Sequence, residues 1–126
     1  MNHFPTICSI LAEILDLDPA EITPETYVIR TLKAESIDLL EIGVAMQHRL
    51  GIAVDDDLLF LKNVRIILNR AKRDNLGALS ALESAYPYLP ETRLQEILDD
   101  LAAGPVLQVR DLVAYAQAFP AATAGN

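Results

Sequence analysis

Apolar side chains return at three- and four-residue spacing over most of this chain, the period that lays one face of an α-helix against a core. Ile7, Ile10, Leu11, Ile14 and Leu15 form the first such run. Pro5 or Thr6 is placed to start it, because the first helical turn does not need proline's missing N–H. The run stops near Asp18-Pro19, and Ile22-Thr23-Pro24-Glu25-Thr26 reads as surface loop, since two prolines remove donors and restrict the residues before them. Tyr27, Val28, Ile29 and Leu32 interrupt that polar stretch, so the loop is expected to be pinned to the bundle.

A second helix is predicted from Ser36 to Leu50, with Leu39, Leu40, Ile42, Gly43, Met46 and Leu50 as its apolar stripe and Gly51 as its stop. Its charges run from Glu35, Asp38 and Glu41 to His48 and Arg49, the order a helix dipole favours. Asp55-Asp56-Asp57 is placed to cap a further helix through Leu58, Leu59, Leu61, Val64 and Leu68. Beyond Gly77, helices are predicted at Ala78 to Ala85 and Glu91 to Ala102, separated by the segment Pro87 to Pro90 and ended by Gly104-Pro105. Val109, Leu112, Val113 and Ala116 mark a last helix, before a small-residue tail, Pro120 to Asn126, that is expected to fray. With 52% hydrophobic residues and no Trp, the core must be built from aliphatic side chains, which suits an all-α bundle. A chain of 126 residues is expected to form one domain.

Charge narrows the function. The net charge is -8, and all of it lies in residues 1–60, which hold eleven acids and three bases against seven of each thereafter. Such a chain is a poor ligand for nucleic acid and a good one for a basic protein. The bases cluster at Lys62, Arg65, Arg70, Lys72 and Arg73, which could pair with Asp55, Asp56 and Asp57 or with a bound phosphate but read rather as a solvated helix face. Cys8 is the only cysteine, and His3 and His48 stand outside any ligand-spaced cluster, so no metal site is expected. No nucleophile, base and orienting acid can be assembled around two scattered histidines, which argues against an enzyme. The N-terminus lacks a secretory signal and no apolar run is long enough to span a bilayer, so a cytoplasmic monomer is expected.

One residue invites chemistry. Ser36 opens the second helix, where a hydroxyl at the positive helix end is well placed to carry a phosphate diester. The ordinary alternative for such a serine is an N-cap. However, Leu32-Lys33-Ala34-Glu35-Ser36-Ile37-Asp38-Leu39-Leu40-Glu41 resembles the phosphopantetheine attachment motif of acyl carrier proteins. Ile22 to Ile29 is similar to that family's loop before the site, Ala45 to Ile52 to its helix end, and Val109 to Tyr115 to its closing helix, so the resemblance covers residues 1–60 and 106–119.

The resemblance implies an all-α, acyl-carrier-like helical bundle with extra helices inserted between the recognition helix and the last helix. It implies a covalent 4'-phosphopantetheine on Ser36, taken from coenzyme A by a phosphopantetheinyl transferase (a holo carrier protein synthase). Acyl groups would ride the arm as thioesters to enzymes of lipid or secondary-metabolite synthesis, such as ketosynthases, acyl-AMP ligases or acyltransferases. Carried over by position, Glu35, Ile37, Asp38 and Glu41 would dock partners, and Val28, Leu32, Leu39, Val44, Met46 and Leu50 would line the acyl pocket. The competing reading is an unmodified module of the same fold that binds proteins.

The chain departs from the family pattern in four places. Glu35 replaces the usual Asp, Lys33 stands where Gly is common, and Gln47-His48-Arg49 replaces an acidic run, which suggests a specialised carrier with redirected docking. The segment 61–105 falls where a typical carrier has only a short third helix. Its helices are expected to pack beside the arm site and enlarge or cover the acyl pocket, with Gly43 leaving room for a chain or a neighbouring helix; the alternative is a merely decorative insertion.

Overall fold

The computed structural model describes residues 2–119, so the expected frayed tail, Pro120 to Asn126, lies outside the described residues. Within them the chain forms seven α-helices and two short 3-10 turns. Helices α1 (Phe4–Leu15), α2 (Ser36–Leu50), α3 (Asp56–Leu59) and α7 (Val109–Ala118) pack on one another, and α4 (Val64–Arg73), α5 (Ala78–Ala85) and α6 (Glu91–Asp100) stack in order beside them. Helix α1 ends at Leu15, short of Asp18-Pro19, because Asp16 turns left-handed (φ 58°) and the chain folds back. Helix α2 has its expected ends, with Gly51 at φ 66° as the left-handed stop.

The helix expected through Leu58 and Leu68 is two helices. Leu59, Phe60 and Leu61 are all buried, and three consecutive side chains on a straight surface helix cannot all face one core. The chain breaks instead at Leu61, which takes φ 56°. Two successive inward positions are thereby gained, and α4 leaves in a new direction.

The long loop is pinned as expected. Tyr27 and Gln108 form an isolated antiparallel bridge. Val28 N–H donates to the Leu107 carbonyl (3.1 Å), and Arg110 N–H to that of Pro24 (2.8 Å). Asp100 at the end of α6 accepts from Tyr27 Oη (2.6 Å) and from two guanidinium nitrogens of Arg30. Arg30 also lies 4.0 Å from the Tyr27 ring centre.

One hydrophobic cluster runs through both groups of helices, taking in Leu11, Ile42 and Leu112 together with Leu82, Leu94 and Ile97. A buried ion pair crosses the same boundary. Arg93 on α6 donates to both carboxylate oxygens of Asp111 on α7, at 2.8 Å each, and to the Val106 carbonyl at 2.7 Å. The side chains are 3% and 0% exposed. Burial opposes the charge of Arg93, but Asp111's hydrogen bonds and charge outweigh it and raise the guanidinium pKa. Asp111 also accepts from Gln108 N–H (2.9 Å), closing the capping box of α7.

Candidate functional site

Ser36 is the first residue of α2 and not its cap. Glu35 holds the cap position in extended conformation (φ -100°, ψ 173°), and its side chain accepts from the Asp38 N–H. The Asp38 carboxylate in turn accepts from Glu35 N–H at 2.8 Å. This acidic capping box satisfies the helix start without the serine. Ser36 is exposed at the positive end of a fifteen-residue helix. The ordinary role weighed for this serine is therefore filled by its neighbour.

Lys33, three residues upstream, adopts φ 62°. That conformation costs any residue with a Cβ and would be relieved by glycine at this position.

Helix α2 carries two apolar stripes of identical spacing. Leu39, Ile42, Gly43 and Met46 face the core, whereas Ile37, Leu40 and Val44 are 63%, 54% and 58% exposed. Leu40 is thus outside the buried stripe to which its spacing assigned it. With Ile14, Glu41 and Ala45, the three exposed residues line a shallow apolar groove of about 530 Å³ between α1 and α2. Of the four docking candidates, Ile37 and Glu41 face this groove, while Glu35 and Asp38 are engaged in the cap. At the far end of α2, Arg49 pairs with Glu13 of α1 (3.2 Å), so only His48 is left there without a carboxylate partner among the described residues.

On the inner side, Ile29, Leu39, Phe60, Val64, Leu101 and Leu107 line an apolar cleft of about 290 Å³ that starts one turn from Ser36. Most of its wall belongs to the beginning and end of the segment 61–105 and to the residues flanking it. Of the six expected pocket residues, Leu39 alone lines it. Val28 and Met46 are fully buried core, Leu32 and Leu50 pack half-buried against that core, and Val44 points outward. Lys62 and Arg65, expected as part of a solvated face, also line the cleft.

Of the two occupants expected at Gly43, the neighbouring helix is the one present. A Cβ there would meet Asp56 Oδ1 at 3.1 Å, Val54 Cγ1 at 3.6 Å and Phe60 Cε2 at 3.7 Å, so the glycine admits the α3 segment and not a chain. A wider depression of about 440 Å³, floored by Arg93 and Asp111, includes no residue of α2 or of the loop before it and is separate from the Ser36 site. Among the described residues no group of three His, Cys, Asp or Glu is placed to hold a metal. No helix among them is long and apolar enough to cross a membrane.

An exposed serine at a helix start that needs no hydroxyl for its cap, beside an apolar cleft, fits a prosthetic group attached through phosphate. Comparison with known proteins agrees. Residues 5–67, half of the chain, match the family described as "Phosphopantetheine attachment site". The match ends inside α4, leaving α5 to α7 outside it. The acyl carrier protein of Helicobacter pylori strain G27 is similar, with 33% identity over 57 residues, 45% of this chain and 73% of that protein. That of strain ATCC 700392 / 26695 is 32% identical over 57 residues, with the same shares covered. No solved structure matches this chain.

Proposed function

This chain belongs to the phosphopantetheine-attachment family, and from that premise we propose that it is an acyl carrier loaded on Ser36, working as a single unit in which α4 to α6 serve the cargo. As a family member it carries a covalent 4'-phosphopantetheine and is a carrier, not an enzyme. When bound, the arm supplies a thiol that holds acyl groups as thioesters.

The observation that carries the assignment to Ser36 is the capping box of Glu35 and Asp38. It frees the serine hydroxyl from structural duty, holds the helix start rigid, and leaves the oxygen open to a phosphopantetheinyl transferase. The loop before it is tied to α6 and α7 by the Tyr27 bridge and the Asp100 contacts, so the attachment point is presented in one geometry. Ile37, Leu40, Glu41 and Val44 form the face that meets the transferase and enzymes that load or use the acyl group, such as ketosynthases, acyl-AMP ligases or acyltransferases. The cleft at Leu39 receives the chain between encounters.

Intact-mass measurement after incubation with coenzyme A and a transferase of broad specificity tests the reading. Wild type should gain the mass of one arm and Ser36→Ala none. Glu41→Lys should slow loading several-fold with the helical signal unchanged. Failure of the wild type to gain mass would assign the chain to the competing reading, an unmodified protein-binding module.

A further inference from the structure

The cleft beside Leu39 has a mostly apolar lining and two exposed cations at its surface. Lys62, in the turn before α4, and Arg65, in its first turn, both line it, and no carboxylate does. Arg65 Nη2 donates to the carbonyl of Leu101, itself a lining residue, at 2.8 Å, which ties the exposed guanidinium to the cleft and leaves its other donors open. The Lys62 ammonium stands 5.8 Å from the Phe60 ring centre. Neither cation has a carboxylate partner among the described residues; Lys33, Arg70, Lys72 and Arg73 are likewise unpaired there, but none of those four lines the cleft. The first turn of α4 contains no acidic residue. In a chain of net charge -8, two unneutralised cations in the lining of an apolar cleft complement one kind of ligand, an apolar tail that ends in an oxyanion.

We infer that the cleft takes acyl chains bearing a carboxylate at their far end, with the carbons against Leu39, Phe60 and Val64 and the carboxylate held by Lys62 and Arg65. This rests on the reading of the chain as an acyl carrier and names its class of cargo. The other oxyanion within reach is the phosphate of the arm. That phosphate is bonded to Ser36, which does not itself line the cleft, and its competition with the cargo for the two cations is one arm of the test.

The test needs no loading. Ser36→Ala protein is titrated with octanoate, with octanol as the neutral isostere, and with 4'-phosphopantetheine, while amide shifts are followed by NMR. Octanoate should bind at least about fivefold more tightly than octanol, the worth of a partly exposed charge contact. Its shifts should centre on Leu39, Val64 and Leu101. In Lys62→Met/Arg65→Met the advantage of octanoate should vanish while octanol still binds. If the double variant loses octanol binding as well, the cleft has been disturbed, and Lys62→Met alone decides: the octanoate advantage must shrink. Equal binding of octanoate and octanol by the Ser36→Ala protein overturns the inference. So do shifts confined to Ile37, Leu40 and Val44, or 4'-phosphopantetheine binding at Lys62 and Arg65 that octanoate does not displace. Each of these can occur whether or not Ser36 accepts the arm.

Discussion

Replacing Asp111 by alanine measures how α4 to α6 are anchored to the rest of the fold. The carboxylate makes two bonds to Arg93 at 2.8 Å with both side chains out of water, and a third to the Gln108 amide. Removal leaves the buried guanidinium with only the Val106 carbonyl and the longer, half-exposed contact to Glu96 at 3.7 Å, at a cost of about 3–5 kcal/mol. The lost cap of α7 adds about 1 kcal/mol. A total near 5 kcal/mol is a large share of the ~5–15 kcal/mol that holds a domain together. It should lower the melting temperature by about 15 °C or more. Urea titration at neutral pH, followed by helical circular dichroism, reads the difference directly. Arg93→Met/Asp111→Leu should recover most of the loss, since a packed apolar pair replaces a buried ionic one with little change in stability. A loss below about 1 kcal/mol for Asp111→Ala, or a double variant no better than the single, would refute the buried-charge argument.

Four further outcomes are expected. Lys33→Gly should stabilise the fold by about 0.5 kcal/mol, because relief of a left-handed residue outweighs the added freedom of the unfolded chain; a destabilised variant in thermal melts counts against strain at this position. Gly43→Ala should gain about 0.5 kcal/mol of helix propensity, since only the mobile Asp56 carboxylate must yield, while Gly43→Val should lose about 2 kcal/mol by pressing on Val54 and Phe60; equal effects of the two in urea melts would exclude close packing there. Hydrogen bonds from Arg30, then Tyr27, hold the Asp100 carboxyl below its ordinary value of 3.8, so its contribution is present above that pH and lost as pH falls through the lowered value. Asp100→Asn should therefore show a shallower acid loss of stability than wild type below about pH 4, and parallel curves would sink the assignment. Finally, burial pushes the Cys8 thiol up, so a thiol reagent should find one fast-reacting group in the loaded native protein and none in the unloaded one; rapid labelling of unloaded native protein would contradict the burial.

Much of the architecture was readable from local pattern. The ends of α2 and α5 follow from residues inside or next to the helices themselves, and Pro19, Pro24 and the apolar insertions of the long loop gave away its path. The split between α3 and α4 was hidden, because Leu58, Leu61, Val64 and Leu68 satisfy helical spacing whether or not the helix is continuous. Only the burial of Leu59, Phe60 and Leu61 together forces the break. The freedom of Ser36 is signalled locally, since Glu35 and Asp38 stand three residues apart, the spacing of a capping box, with an acid in place of the usual hydroxyl.

The helical class, the serine motif and the one-sided distribution of charge were determined by the sequence alone, because each depends on residues a few positions apart. Tertiary structure decided which of two equivalent stripes on α2 meets solvent, that Gly43 admits α3, and that Arg93 finds Asp111. It also brought Lys62 and Arg65, exposed as the solvated face was expected to be, into the lining of a cleft. Periodicity states that a face exists but not what lies opposite it, and that second fact is supplied only by segments far away along the chain.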